Sequence, residues 1–242
     1  MDERAAEARA AADWCVAPGV WLLPDFVETG VVHGIGDRTL TLEILLEHLG
    51  LAGRPVVRLQ QVHGEAILEV AQPPAPGQVW DGYDGAITDQ RGVVLTIRTA
   101  DCAALGFYDP AHHAIGVAHA GWRGLASGLP ARVVEAMVRR WGTHPADVRV
   151  GIGPMIGPCC YEVGPEFAPR FPAWIRSQGD RRMLDLRAGI HAQLAQAGIV
   201  PERIFDSGVC TACHVEQFFS YRREGAAAGR CHFALALGAD RS

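Results

Sequence analysis

Three segments of the chain place apolar residues at the three- and four-residue spacing of an amphipathic helix. A glycine follows each segment, and glycine is the commonest residue after a helix C-terminus. The apolar positions are Leu42, Leu45, Leu46 and Leu49 before Gly50; Val134, Met137, Val138 and Trp141 before Gly142; and Leu186, Ile190 and Leu194 before Gly198. The pattern predicts three helices, each burying the face that carries these residues.

Short apolar runs bounded by turn residues fill much of the remaining sequence and are typical of strands. These runs cover residues 20–23, 56–62, 66–71, 84–88, 93–98, 102–108, 114–118, 148–152 and 230–237. The four runs between residues 84 and 118 fit one mixed sheet best. The predicted fold class is therefore α/β mixed (α+β), with mixed β-sheets and flanking helices.

The length of 242 residues suits one globular unit. We expect residues 1–18 to form an N-terminal lead, frayed or disordered, and residues 19–242 to form the domain. The net charge of −5 comes from interleaved charges of both signs, without a basic face. The sequence thus predicts no nucleic-acid partner.

Membrane insertion and export are not expected either. No apolar run approaches the roughly 18 residues that span a bilayer. The acidic, Ala-rich beginning of the chain does not resemble a secretory signal. An odd count of seven cysteines argues against a disulfide framework. We expect a cytoplasmic protein with reduced thiols, either a monomer or a small homo-oligomer.

Candidate chemistry centres on two histidines and one cysteine, His63, Cys102 and His119. Each lies at the end of an apolar run and beside small residues that allow a ligand to approach. Catalytic zinc sites keep three protein ligands and leave one position open, and this set of donors suits such a site. The spacing is not that of a short-range zinc motif, so three unconnected core residues are the alternative.

The run His-Ala-Gly-Trp-Arg-Gly at residues 119–124 is predicted to form a strand-to-helix turn. Unpaired backbone N–H groups and the helix dipole favour an anion there, and Arg123 would add a forked positive charge. Arg222 and Arg223 follow two phenylalanines and a tyrosine. They could form an ordinary solvated pair or a phosphate clamp beside a base-stacking surface.

Six motifs, in order across nearly the whole chain, resemble the YfiH/LACC1 family. They are QVHG, DGAIT, RTADC, HAGWRG, IGPCCYEVG and FFSYRR followed by GR. That family was long labelled polyphenol oxidase or laccase-like and is now described as purine nucleoside phosphorylase with adenosine deaminase activity. The resemblance implies a zinc ion held by His63, Cys102 and His119.

The implied reaction converts adenosine, inosine or guanosine and phosphate into free base and ribose 1-phosphate. Adenosine deamination and methylthioadenosine phosphorolysis are implied as side activities. The expected partners are accordingly a purine nucleoside and phosphate. Phosphorolysis requires positive charge around phosphate, for which the candidates are Arg123, Arg222, Arg223 and Arg230.

Deamination requires a zinc-acidified water and a carboxylate that moves the proton. Asp101 and Glu162 are the nearest candidates for this carboxylate. Together with Cys102 and His119, they are the candidate catalytic residues. On a regular strand Asp101 would point away from Cys102 and could instead orient the site from behind.

Two other function classes stay open. A copper-dependent phenol oxidase would need several histidine-rich sites, and the ten histidines contain no His-X-His pair. Copper is therefore the less favoured cofactor. A metal-free amide hydrolase could use Cys102 as nucleophile and His119 as base.

The remaining motif, Cys-Thr-Ala-Cys-His at residues 210–214, has the spacing of a c-type haem attachment. Haem attachment belongs to exported proteins, so a redox pair or half of a second zinc site is preferred. No second Cys-X-X-Cys completes four ligands. Cys159 and Cys160 are adjacent, and we expect them to pack in the core or in a pocket wall.

Overall fold

The computed structural model describes residues 15–23, 26 and 30–238 of the chain. Of the predicted lead over residues 1–18, residues 1–14 lie outside the described ranges. Residues 15–17 form a strand. The strands are β1 (Cys15–Ala17), β2 (Val20–Trp21), β3 (Val31–Gly36), β4 (Val56–Gln60), β5 (Ile67–Glu69), β6 (Val79–Asp81), β7 (Gly85–Thr88), β8 (Val94–Thr99), β9 (Ala103–Asp109), β10 (Ala114–Ala120), β11 (Arg149–Ile152), β12 (Glu162–Val163), β13 (Ile175–Gln178), β14 (Arg181–Leu184), β15 (Ile204–Asp206) and β16 (Cys231–Leu237).

The helices are α1 (Leu42–His48), α2 (Trp122–Ala126), α3 (Leu129–Trp141), α4 (Leu186–Gln196) and α5 (Tyr221–Glu224). Single 3-10 turns occupy Pro145–Asp147, Pro165–Phe167, Pro201–Arg203, Thr211–Cys213 and Gly225–Ala227. Among the described residues, no helix combines the length and the apolar character needed to cross a bilayer.

The strands form two large sheets and one small sheet. The first large sheet has the order β1-β2-β3-β16-β8-β4-β6, and the second has the order β15-β11-β9-β10-β7-β5. The small sheet has the order β12-β14-β13. Both large sheets contain parallel and antiparallel pairs, as in β4 with β8 and β16 with β8. The expected fold class of mixed sheets with flanking helices is confirmed.

The two large sheets stack face to face, and helices cover their outer faces. Strand β9 faces both ways, because successive side chains of a strand point to opposite sides. Ala104 and Tyr108 join the core between the sheets, whereas Leu105 and Phe107 pack against the helix layer of α3 and α4. On the far side, α1 packs its leucines against the first sheet.

The sheets approach closely at Gly106 of β9. A Cβ atom at Gly106 would lie 2.8 Å from Phe233 Cζ in β16, which is closer than side chains allow. A Cβ atom at Gly151 of β11 would collide with the side chain of Leu23, which follows β2. Glycine is therefore required at Gly106, where the sheets meet, and at Gly151, where the segment after β2 packs on the second sheet.

The expectation of one sheet for the four runs between residues 84 and 118 is wrong. Strand β8 pairs with β16 and β4 in the first sheet, whereas β7, β9 and β10 belong to the second. The chain changes sheets at residues 100–102, and Asp101 there adopts a left-handed backbone conformation, with φ of 83°. Periodicity does not reveal such a crossing, because the strands on both sides have the same apolar pattern.

The buried face of α3 also differs from the expectation. Val134 and Met137 are buried as expected, but Val138 is 39% exposed. Val133 and Pro130 are buried instead. The buried stripe of the helix therefore lies nearer its N-terminal half than the sequence pattern predicts.

Candidate active site

Three donor atoms from distant segments meet at one end of the stacked sheets. His63 follows β4, Cys102 precedes β9, and His119 lies in β10. One ligand atom from each lies within 4.8 Å of the others. His119 is buried, Cys102 is half-buried and His63 is exposed, so the group extends from the core to the surface.

Backbone conformation brings two of these residues into position. His63 has a φ of 59°, and Asp101, directly before Cys102, has a φ of 83°. Residues other than glycine rarely adopt such left-handed conformations, and the ones that do are often found at functional sites. Both sharp turns occur where a strand ends and its next side chain must point toward the other donors.

Asp84 connects the two histidines. Its carboxylate accepts hydrogen bonds from the backbone N–H groups of Val62, His63 and Gly64, at 3.0, 3.0 and 2.7 Å. It also contacts Nδ1 of His119 at 2.8 Å. This contact leaves Nε2 of His119 free for a ligand, which is the usual arrangement of a metal-binding histidine with a carboxylate behind it.

Gly121 makes room for the sulfur. A Cβ atom at this position would lie 2.6 Å from Cys102 Sγ. The glycine also precedes α2, so the predicted strand-to-helix turn is present. Helix α2 has only five residues. Its dipole is small, and positive charge for an anion must come mainly from side chains.

The electrostatics favour a thiolate at Cys102. Burial alone would raise the pKa of Cys102, but hydrogen bonds with His119 and His63 lower it to about 6. Burial alone would lower the pKa of His119, but Asp84 and Cys102 raise it to about 9. The site therefore stabilises a negative sulfur beside positive charge, and a cation bound there could replace the imidazolium proton.

The donor set fits a metal ion. Two imidazole nitrogens and one thiolate are borderline-soft ligands of the kind that bind zinc in sites with an open fourth position. A metal-binding histidine usually has its other ring nitrogen hydrogen-bonded to a carboxylate, and Nδ1 of His119 contacts Asp84 in this way.

A cavity of about 870 Å³ opens above these donors. Its lining combines arginines with aromatic rings: Arg98, Arg123, Arg222, Arg230, Trp122, Tyr161 and Tyr221. Arg123 lies over the Trp122 ring at 4.5 Å and Arg222 over the Tyr161 ring at 5.2 Å. Positive charge and flat apolar surface thus occur side by side.

Asp101 lines this cavity, but its carboxylate already has partners. Oδ1 accepts the hydroxyl of Thr211 at 2.6 Å, and Oδ2 accepts the backbone N–H of Arg222 at 2.7 Å. The side chain therefore holds the segment that carries Arg222.

Two residues proposed from the sequence lie outside the cavity lining. Arg223 donates to the carbonyl of Ala212 and approaches Cys160 Sγ. Glu162 is exposed and borders a separate, smaller cavity together with Arg223. Its backbone carbonyl accepts a hydrogen bond from Arg222 at 2.7 Å.

Sequence reasoning missed Asp84 and Arg98. Asp84 begins the motif DGAIT, and the pattern there predicts only the start of a strand. The acidic residue at the start of an otherwise apolar strand is the signal that could have identified it. Arg98 looked like an ordinary exposed strand position.

The fold and the donor set define a class of mixed α/β protein with a three-donor centre beneath an arginine-rich cavity. The chain belongs to the family described as multi-copper polyphenol oxidoreductase laccase, whose sequence profile matches residues 39–237. This is the YfiH/LACC1 family expected from the motifs.

Similar proteins carry a different functional name. Purine nucleoside phosphorylase YfiH of Escherichia coli strain K12 is 34% identical over 212 residues, covering 84% of each chain. Purine nucleoside phosphorylase LACC1 of Homo sapiens is 39% identical over 154 residues. That alignment covers 60% of this chain but only 36% of the human protein, so the chain spans about a third of that relative.

Solved structures agree with this assignment. YlmD from Geobacillus stearothermophilus has a TM-score of 0.81 at 29% identity, covering 87% of this chain and 93% of YlmD. The Bacillus licheniformis hypothetical protein YfiH has a TM-score of 0.85 at 27% identity, covering 92% of this chain and 97% of that protein.

Proposed function

We propose that this chain is a zinc-dependent purine nucleoside phosphorylase. It would convert adenosine, inosine or guanosine and phosphate into free base and ribose 1-phosphate. The observation that carries the proposal is the arginine- and aromatic-lined cavity directly above His63, Cys102 and His119. The names of the relatives support the same reaction.

The arginines suit the phosphate. In phosphorolysis a phosphate oxygen bonds to C1′ of the ribose while the bond from C1′ to the purine nitrogen breaks, and the leaving base takes up a proton. Arg98, Arg123, Arg222 and Arg230 line the cavity, so several guanidinium groups could neutralise the dianion and orient it. Trp122, Tyr161 and Tyr221 offer rings against which a base could stack.

His63, Cys102 and His119 would hold the zinc ion, which when bound supplies a Lewis acid at the cavity floor. Asp84 would keep the His119 ring oriented and fix the backbone that carries His63. A histidine pair and a cysteine also occur in blue-copper sites, so copper is the second metal to test.

Adenosine deamination is proposed only as a side activity. Among the described residues that line the cavity, Asp101 is the one with a carboxylate, and both of its oxygens already accept hydrogen bonds. A proton-moving carboxylate beside the three donors is thus less evident than the phosphate site. Methylthioadenosine phosphorolysis would need no further chemistry, since the same glycosidic bond breaks.

Multicopper oxidation has little support from the donors. Such enzymes need several copper sites rich in histidine. Within the described ranges, the second group of clustered donors consists of four cysteines.

A metal-free thiol hydrolase is the second candidate, and one observation favours it. Asp84, His119 and Cys102 form a chain in which a carboxylate orients an imidazole beside a thiol of lowered pKa. The nearby third donor, His63, is unnecessary for such a hydrolase. Stoichiometric metal on Cys102 would exclude this reading.

The decisive experiment incubates the purified protein with each nucleoside, with and without phosphate, and measures free base and ribose 1-phosphate. Elemental analysis of the same preparation identifies the metal. We expect base release to require phosphate. Absence of phosphorolysis in metal-replete protein would contradict the proposal, and amide hydrolysis by metal-free protein would favour the thiol hydrolase.

Substitution of a cavity arginine tests whether the phosphate binds in the cavity. Arg123→Gln should raise the KM for phosphate, because one guanidinium is lost. Arg139→Gln is the matched control, since Arg139 is an exposed arginine of α3 that pairs with Glu69 of β5. Equal kinetics of the two variants would remove Arg123 from the phosphate site.

A further inference from the structure

Four cysteines outside the cavity form a second cluster. Cys159 and Cys160 lie in the loop between β11 and β12. Cys210 directly precedes the 3-10 turn Thr211–Cys213, and Cys213 is the last residue of that turn. Their four sulfur atoms all lie within 4.8 Å of one another. Neither pair is near the other in sequence, and the fold alone brings them together.

The spacing of the sulfurs suits a tetrahedral ion. Zinc–sulfur bonds of about 2.3 Å in a tetrahedron place neighbouring sulfurs about 3.8 Å apart. The Sγ atom of Cys213 lies 3.6 Å from that of Cys159 and 3.4 Å from that of Cys160. All four are free thiols. The cluster therefore already approximates the edges of a four-thiolate site.

Donor groups around the cluster would stabilise thiolates. The backbone N–H of Gly157 donates to Cys210 Sγ at 3.2 Å, and Nη2 of Arg223 approaches Cys160 Sγ at 3.5 Å. Hydrogen bonds to sulfur and a nearby positive charge are typical surroundings of a metal-bound thiolate. The contact explains why Arg223 lies here and not in the cavity.

The four sulfurs are too close together to be negatively charged without a cation. Four negative sulfurs at this distance would repel one another strongly, and a divalent ion would remove that repulsion.

We propose that Cys159, Cys160, Cys210 and Cys213 hold a structural zinc ion. On binding, four sulfur–metal bonds form and the four thiol protons leave to solvent. All four positions of the ion are filled by protein, so this second site is closed and does not take part in turnover.

The site would connect two walls of the active-site cavity. Ile156 and Tyr161, which flank the first cysteine pair, line that cavity. Thr211, between the second pair, donates to Asp101. A bound ion would thus fix the position of these residues relative to each other, whatever reaction the cavity performs.

The test is metal content per chain in four proteins purified without chelator. Cys213→Ser should hold one ion fewer than the wild type. Cys102→Ser should keep the cluster ion whether or not the active-site centre binds metal. Cys231→Ser is the matched control, because this buried cysteine lies outside both donor groups and its loss should not change metal content. Equal metal content in Cys213→Ser and the wild type would overturn the proposal.

A second measurement keeps all four cluster cysteines, in case Cys213→Ser does not fold. Cobalt exchanged into Cys102→Ser should give the strong sulfur-to-cobalt absorption of a four-thiolate tetrahedral site. Titration with a mercurial should release the ion as four thiols react. A spectrum without thiolate bands, or a Cys160–Cys213 disulfide in protein purified under reducing conditions, would overturn the proposal.

Discussion

At the scale of single residues, Asp84 organises the candidate active site without belonging to its donor set. Its two oxygens hold the backbone around His63 and the ring of His119 at once. Burial alone would raise the pKa of Asp84, but the His119 ring and the N–H groups of Gly64 and Val62 lower it. The carboxylate therefore stays ionised and acts only as an acceptor.

Asp84→Asn should weaken metal binding about 10- to 100-fold, which is the usual effect of losing a carboxylate behind a ligand. The amide keeps the size of the side chain but replaces one oxygen with an NH₂ group. That group cannot accept the N–H bonds, and the negative charge behind His119 is lost. Competition with a chromogenic chelator measures the affinity.

Asp109→Asn provides the control for this variant. Asp109 is equally buried, contacts Nδ1 of His112 at 2.7 Å and accepts hydrogen bonds at the far end of β9. Its loss should lower stability while metal affinity stays within about twofold. If both variants weakened metal binding alike, Asp84 would have only a general structural role.

Gly121 sets the space available to the sulfur of Cys102. Gly121→Ala would place a Cβ atom 2.6 Å from Cys102 Sγ. The thiol must move, so we expect loss of the ion held by His63, Cys102 and His119 and loss of turnover, with far-ultraviolet circular dichroism unchanged. Gly36→Ala is the control, because its Cβ would make ordinary contacts at 3.5 Å. A metal content per chain equal to that of the wild type would mean that Cys102 is not a ligand.

The sequence indicates the metal-donor residues of the site, but it does not indicate the residues that hold these donors in position. His63, Cys102 and His119 stood out because their side chains bind metals and follow apolar runs. Only half of the four-cysteine cluster is evident from the sequence, as the Cys210 and Cys213 pair, because adjacent Cys159 and Cys160 lack a recognised spacing to that pair. Spatial proximity between distant loops is a property of the fold, which local patterns do not encode.

At the scale of elements, the short helix α5 depends on Asp101 for its position. The helix has four residues and no side-chain cap of its own from Ser220. The carboxylate of Asp101 accepts the N–H of Arg222, in the first turn, where such donors otherwise lack partners. Asp101 thus acts as a positioning residue for the Arg222 side chain.

Asp101→Asn should raise the KM for phosphate about tenfold while the metal content and kcat change little. Loss of a hydrogen bond to a charged group costs roughly 1.5–3 kcal/mol, enough for this effect. Asparagine tolerates the left-handed backbone at this position, so the turn before Cys102 should persist. Steady-state kinetics with phosphate varied give the result.

The opposite kinetic outcome is informative. A large fall in kcat with an unchanged KM for phosphate would show that Asp101 touches the reacting atoms, as the sequence first suggested. A loss of metal would instead indicate that the turn had collapsed and moved Cys102.

Element types were predicted better than their pairing. The helices before Gly50, Gly142 and Gly198 exist, and most predicted strands do too. Strand β3 was missed because its histidine and glycines interrupt the apolar run, and the small sheet was missed because its strands are short and polar. The division into two sheets is not visible in the sequence, because strands of both sheets have the same apolar pattern.

At the scale of the whole molecule, stability should depend on a histidine far from the site. His33 in β3 is 3% exposed, and its Nε2 accepts the backbone N–H of Leu23 at 2.9 Å. Its ring also packs edge-on against Phe26. Burial lowers the pKa of His33 to about 4, because the charged imidazolium would lose its solvation there.

The sign of the pH dependence follows from this shift. In the unfolded chain His33 takes up a proton below its ordinary pKa of 6.5, whereas the folded protein resists protonation until about pH 4. The unfolded state therefore binds more protons between these values, and stability falls as the pH is lowered through this window. The expected loss from His33 between pH 7 and pH 5 is about 2 kcal/mol.

His33→Gln should remove this contribution, because the carboxamide can still accept the N–H of Leu23 but does not titrate. The free energy of unfolding by urea is measured for both proteins at pH 7 and pH 5. The difference between the two pH values gives, for each protein, the slope of stability against pH. Other groups titrate alike in both proteins, so the difference between the slopes isolates His33. Identical slopes would mean that His33 becomes protonated in the folded protein as readily as in the unfolded chain.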